Sequence, residues 1–143
     1  MDTQLQARID SAMRFFIAKG WKPYQAAGIV ANLEAESLVN PIQAQHGGGP
    51  GYGLAQWEHP RQQDFRAWAG HDIHQSTFQE QLEFIQHELD GSQRVAGKAL
   101  RATMTAAEAG AIVCRFYERP ADTERQASYR ATLAVKKIGR AHV

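Results

Sequence analysis

Five of the eight residues from 46 to 53, which read HGGGPGYG, are glycines, and they interrupt a chain otherwise patterned for helices. A helix cannot run through this density of glycine, because each glycine adds backbone freedom that folding must remove. Glycine also permits tight turns and the close approach of a backbone to a ligand. The segment therefore predicts a loop or small hairpin inside a helical domain, at a place suited to binding.

Apolar residues on both sides of this segment recur at steps of three and four, as on one face of a helix. The spacing predicts helices over residues 4–19, 23–37, 60–69 and 95–102. Further helices are predicted to begin after a capping residue at Ser76 or Thr77, after Thr105 and after Asp122. The chain is thus predicted to be mainly α, with six or seven helices in a single domain over residues 1–143.

Composition excludes several classes of protein. The 16 basic and 15 acidic residues leave a net charge of +1, so we expect no nucleic-acid partner. No apolar run reaches the roughly 20 residues that span a bilayer, so no stable membrane insertion is expected. The single cysteine, Cys114, excludes an internal disulfide and a four-cysteine zinc site. We expect Cys114 to be a core residue, and the sequence predicts neither a metal site nor a cofactor.

Two glutamates, Glu34 and Glu36, fall in the last turn of the helix predicted over 23–37. The partial negative charge at a helix C-terminus raises the pKa of a carboxyl group. A carboxyl group that stays protonated near neutral pH is what general-acid cleavage of a glycosidic bond requires. The two side chains point about 160° apart, so only one can line a given cleft. Alignment with Ile29 on the apolar stripe favours Glu36, and Glu34 stays the alternative.

The stretch GIVANLEAESLVNP at residues 28–41, followed by GYGLAQW at 51–57, resembles the phage tail lysozyme family of peptidoglycan-cleaving, lysozyme-like domains. In such proteins a helix ends in a Glu-Ser pair, an Asn-Pro follows, and a loop leads to a Gly-x-Gly-(Leu/Ile)-x-Gln segment. The resemblance implies a lysozyme-like fold and a muramidase that cleaves the β-1,4 bond between N-acetylmuramic acid and N-acetylglucosamine. It also implies Glu36 as the catalytic acid, Ser37 as its neighbour and Gln56 as a sugar contact.

Further substrate-binding residues are predicted beside the glycines. A sugar polymer needs flat apolar faces and hydrogen-bonding groups along its groove. Tyr52 and Trp57 can supply such faces, although packing in the core is the alternative for both. Tyr117, from a later helix, is a candidate for a hydroxyl group in or behind the cleft.

The chain departs from many small lysozymes in having no Asp or Glu between Glu36 and Trp57. Either Glu58 is the second carboxylate, or Glu36 acts alone. A lone acid suits lytic transglycosylase chemistry, in which the sugar's own 6-hydroxyl attacks and the acid then acts as base. The sequence leaves three alternatives open: a muramidase, a lytic transglycosylase, and a non-catalytic cell-wall-binding helical module.

The start of the chain, MDTQLQARID, lacks the basic and apolar run of a secretory signal. We therefore expect synthesis in the cytoplasm without a signal peptide. Since peptidoglycan lies outside the inner membrane, this implies a delivery partner: a holin, a phage tail or a secretion system. The expected partners are then glycan strands and that delivery machinery, and the protein is expected to be a monomer.

Overall fold

The computed structural model describes residues 2–138 and is mainly helical, as predicted. The helices are α1 (Thr3–Ala18), α2 (Pro23–Ser37), α3 (His59–Ala69), α4 (Phe78–Asp90), α5 (Arg94–Arg101), α6 (Ala106–Val113) and α7 (Thr123–Ile138). A 3₁₀ turn at Ile73–Gln75 precedes α4, and a π-helical turn at Cys114–Glu118, called the π turn below, continues α6. Among residues 2–138, no helix is both long and apolar enough to cross a membrane.

Helix α2 lies at the centre of the fold, packed against α1, α6 and α7. Every one of its residues from 25 to 33 is buried, including the polar side chains of Gln25 and Asn32. Because α2 is covered on all sides over these residues, it lacks the single apolar stripe from which the sequence favoured Glu36 over Glu34. This central position carries the C-terminal turn of α2, with its two glutamates, to the edge of the core.

Small residues allow α2, α6 and α7 to approach one another closely. A Cβ atom added to Gly28 of α2 would lie 2.5 Å from the carbonyl carbon of Ala109 in α6. A Cβ atom on Gly110 would lie 2.7 Å from the carbonyl oxygen of Arg130 in α7. Neither position has room for a side chain, so the three helices pack as one unit.

The glycine-rich segment lies in a compact loop of residues 44–57, called the glycine-rich loop below, whose two isolated antiparallel bridges pair Tyr52 with Ala44 and with Trp57. The buried side chain of Gln81, from α4, fixes this loop. Its amide oxygen accepts a hydrogen bond from the Leu54 backbone N–H at 2.9 Å, and its amide nitrogen donates to backbone and side-chain oxygens nearby. The loop is therefore held against the helical core.

Replacing Gly28 with alanine should destabilise the protein, although the same change inside an uncrowded helix stabilises it by about 1 kcal/mol. The added methyl group must push α2 and α6 apart, so we expect the free energy of unfolding to fall by about 1–3 kcal/mol. Urea denaturation measures this change. A gain in stability would contradict the close approach of the two helices.

Candidate active site

A cleft of about 640 Å³ opens at the C-terminal end of α2. Its lining residues are Glu36, Gln45, His46, Ala55, Gln56, Glu58, Pro60, Arg61, Gln93, Glu118, Arg119, Pro120 and Ala121. They come from α2, the glycine-rich loop, the start of α3, the start of α5 and the end of the π turn. The cleft thus gathers three glutamates and two arginines in a volume typical of ligand sites.

Glu36 reaches this cleft from the last turn of α2, with 17 % of its side chain exposed. Burial raises the pKa of the Glu36 carboxyl above its ordinary value, and the charges of Arg130 and Arg61 oppose this shift. The direction of the shift is the one expected from the sequence. Burial is its main cause, so the carboxyl group can keep its proton to a higher pH than an exposed glutamate.

Glu34 has a different partner. Its carboxylate forms an ion pair with the ammonium group of Lys137, a mostly buried residue near the end of α7. It does not line the cleft described above. Of the two acids that the sequence left open, Glu36 is therefore the one whose side chain faces a space large enough for a ligand.

The guanidinium group of Arg130 holds Glu36 in place. Arg130 is 3 % exposed, and its Nη1 lies 2.9 Å from Oε2 of Glu36 and 3.0 Å from Oδ1 of Asn32. The Asn32 amide donates in turn to the backbone oxygens of Gly28 and Gly110. One buried network thus fixes the orientation of the acid and joins α2, α6 and α7.

The backbone immediately after Glu36 is strained. Leu38 and Val39 take φ values of 56° and 53°, in the left-handed region that non-glycine residues seldom adopt. The buried hydroxyl of Ser37 lies within hydrogen-bonding distance of the Leu33 and Leu54 carbonyl oxygens, at 3.1 and 2.8 Å. The structure therefore places Ser37 behind the cleft, where it joins the end of α2 to the glycine-rich loop.

Gln56 and Tyr52, two predicted sugar contacts in the loop, differ in their position relative to the cleft. Gln56 lines the cleft, and its amide nitrogen donates to the Gln43 and Gly53 carbonyl oxygens at 2.8 and 3.1 Å. Its amide oxygen is thus the atom left for a ligand. Tyr52 does not line this cleft, and its ring packs against His74 with the ring centroids 4.1 Å apart.

Trp57 and Tyr117 are both 1 % exposed and meet at a buried carboxylate, Glu88. Trp57 donates its indole N–H to Glu88 at 3.0 Å, and the Tyr117 hydroxyl donates to the same oxygen. Arg61 completes the cluster with two bonds of 2.8 Å to the two carboxylate oxygens. The structure places Trp57 and Tyr117 behind the cleft wall, while Arg61 reaches from their cluster to the cleft.

Two carboxyl groups besides Glu36 line the cleft. Glu58, the candidate from the sequence, is exposed and occupies the N-cap position of α3. Glu118, to which sequence reasoning assigned no role, ends the π turn, and its Oε2 is buried without a hydrogen-bond partner in the described residues. Burial and the nearby negative charge of Glu36 raise the pKa of Glu118 well above its ordinary value.

This arrangement can support acid–base chemistry. A largely buried carboxyl group can deliver a proton to a ligand in the cleft, and the neighbouring arginine can stabilise the anion that remains. A family model described as phage tail lysozyme matches residues 7–138, nearly the whole chain. No curated protein matches the chain significantly.

Replacing Glu88 with glutamine should lower the free energy of unfolding by about 2–4 kcal/mol, because Arg61 is left in the cluster without its counter-charge. Chemical denaturation measures the loss. The control is Glu124→Gln, which removes an exposed carboxylate paired with Arg115 and should leave the unfolding midpoint nearly unchanged. Equal effects of the two substitutions would show that the cluster does not support the fold.

Proposed function

Because the chain belongs to the phage tail lysozyme family, we propose that it cleaves the β-1,4 bond between N-acetylmuramic acid and N-acetylglucosamine. The family makes the protein a lysozyme-like cell-wall enzyme of the glycosidase type, with peptidoglycan as its substrate. The observation that carries the proposal is the position of Glu36 in the cleft, with its pKa raised by burial. A glycosidase needs such a proton donor at its working pH.

In this mechanism Glu36 donates its proton to the oxygen that bridges the two sugars. The bond between that oxygen and the anomeric carbon breaks, and positive charge develops on the sugar ring. The new carboxylate of Glu36 is stabilised by Arg130, which lies 2.9 Å away. A water molecule then adds to the anomeric carbon and gives up its proton to a carboxylate, for which Glu36 and Glu58 are the candidates.

Transglycosylation on the same scaffold is the second candidate function. It is favoured by the exposed position of Glu58, which is the first acid after Glu36 in the chain and has no ion-pair partner among residues 2–138. A carboxylate in such a position fits a surface acid, and Glu36 then acts alone. In that reaction the 6-hydroxyl of the muramic acid residue attacks its own anomeric carbon, and Glu36 takes the hydroxyl proton. Reducing ends in the products identify hydrolysis, whereas 1,6-anhydro ends identify transglycosylation.

We propose that the predicted substrate-binding residues divide into those that touch the sugar and those that support the cleft. Gln56 is proposed to contact the sugar directly, because its side chain lines the cleft and its amide oxygen is not used by the loop. Ser37, Trp57 and Tyr117 are buried, so we propose that they support the cleft from behind. Tyr52 is proposed to contact a glycan only where the strand extends beyond the cleft.

The family indicates where the enzyme acts, but not how it is delivered or whether it is a monomer. Enzymes of this family act on the cell wall. The delivery partner (holin, phage tail or secretion system), the monomeric state and synthesis without a signal peptide stay predictions. A wild-type protein that binds peptidoglycan without cleaving any wall preparation would favour the non-catalytic binding module.

Glu36→Gln should reduce the rate of peptidoglycan cleavage by about 10²–10⁴-fold, because the amide cannot donate a proton to the leaving oxygen. Release of soluble fragments from purified peptidoglycan measures the rate. The matched control is Glu34→Gln, two residues away on the same helix turn, which should keep activity within a few fold. Full activity of Glu36→Gln, with the fold intact by circular dichroism, would overturn the assignment.

Arg130→Gln should move the alkaline limb of the activity profile to higher pH. Arg130 lowers the pKa of Glu36, so its removal raises that pKa, and the acid then stays protonated at higher pH. Arg130→Lys keeps the positive charge and should leave the limb closer to that of the wild type. The profiles of cleavage rate against pH measure both. A shift of the Arg130→Gln limb to lower pH would contradict the proposed role of Glu36.

A further inference from the structure

We propose that Glu118 is a second functional carboxyl group of the cleft, and that in its neutral form it donates a hydrogen bond to an oxygen atom of the bound glycan. The proposal rests on the proposed function, since it requires a glycan in the cleft. It adds a substrate contact that the sequence reasoning did not assign. Glu118 would thereby help to hold the sugar while Glu36 transfers the proton.

One carboxyl oxygen of Glu118 has no hydrogen-bond partner among residues 2–138. Glu118 lines the cleft, yet its Oε2 is buried and accepts or donates no hydrogen bond within residues 2–138. Buried polar atoms in folded proteins nearly always have a partner, so an exception requires an explanation. Oε2 therefore lacks the hydrogen bonds that would stabilise a carboxylate, and this favours the neutral carboxyl group. The other carboxyl oxygen is then the one that can donate a hydrogen bond to a hydroxyl or amide oxygen of a glycan.

Glu118 lacks the partners that Glu88 has. Glu88 is fully buried and Glu118 is half-buried, but only Glu88 accepts hydrogen bonds, from Arg61, Trp57 and Tyr117. Glu118 has no ion pair at contact distance in the described part of the chain. An ionised carboxylate without a partner is strongly disfavoured there, and the charges of Arg61 and Arg130 oppose this only partly. The neutral form of Glu118 is thereby favoured, and in that form its hydroxyl can donate a hydrogen bond.

An irregular turn of the backbone brings Glu118 to the cleft. The π turn at Cys114–Glu118 inserts an extra residue into the helical path, and Arg119 follows with a φ of 51°. One inserted residue rotates the following side chain by about 100° around the helix axis. Insertions of this kind are frequent at functional sites. Here the insertion coincides with the turn that brings Glu118 to the cleft.

The unpartnered oxygen of Glu118 predicts an unusual change in stability when the residue is replaced. Because Oε2 has no partner, replacing Glu118 with methionine removes a buried polar group that contributes nothing to the fold. The melting temperature of Glu118→Met should therefore equal or exceed that of the wild type. A residue with a structural role would show the opposite change.

The test compares Glu118→Gln, which keeps a donor in the neutral state, with Glu118→Met, which has none. We expect Glu118→Gln to keep peptidoglycan cleavage within about tenfold of the wild type, and Glu118→Met to lose about 100-fold or more. Glu124→Gln is the surface control. If Glu118→Gln is as inactive as Glu118→Met, an ionised carboxylate is needed and the proposal is wrong. If both stay active, or if Glu118→Met melts at a clearly lower temperature, it is also wrong.

A binding measurement separates this proposal from the proposed function. In the Glu36→Gln background, which should not cleave, calorimetry with the N-acetylglucosamine tetramer compares the two substitutions at Glu118. We expect the methionine variant to bind about tenfold more weakly than the glutamine variant. Equal affinities, with cleavage still dependent on Glu36, overturn the role of Glu118 alone. A wild-type protein that neither binds nor cleaves a glycan overturns both proposals.

Discussion

The buried guanidinium group of Arg130 is the interaction on which the site depends. It reaches from α7 to Asn32 and Glu36 of α2, residues almost a hundred positions away in the chain. An arginine keeps its charge in a protein interior, so it can be buried only against partners such as these. The same contact fixes the acid and opposes the effect of burial on its pKa. The pKa of Glu36 is therefore set by burial, which raises it, and by the charge of Arg130, which lowers it.

Backbone strain is concentrated around the cleft. Among residues 2–138, the non-glycine residues with positive φ are Leu38, Val39, Gln56 and Arg119. Each lies in the cleft lining or within three residues of Glu36, and such conformations persist only where the surrounding structure imposes them. The Ser37 hydroxyl, the Gln81 amide and the α2–α6 packing supply that support. The packed core thus holds the strained backbone around the cleft, where the three glutamates of the cleft lie.

Local pattern was enough to predict the helices, because periodicity and capping act within a few residues of the chain. The ends of α2, including Pro23 and the turn that carries Glu36, follow directly from such signals. The choice between Glu34 and Glu36 could not be made locally, since it depends on Lys137 from the last helix. Arg130 and Lys137 lie at helical spacing on the buried face of α7. This spacing, which is visible in the sequence, could have predicted that the two cations are buried.

Contacts between elements that are distant in the chain could not be predicted from the sequence. Glu88 occupies the apolar face of α4, which indicates a buried partner without naming Arg61. Glu118 reaches the cleft because of a π turn that no periodicity predicts. The role of Glu36 as proton donor is tested most directly by an NMR titration of its side-chain carboxyl carbon. We predict a midpoint above the ordinary glutamate value of about 4.3. A midpoint at or below that value would contradict the assignment of Glu36 as the proton donor.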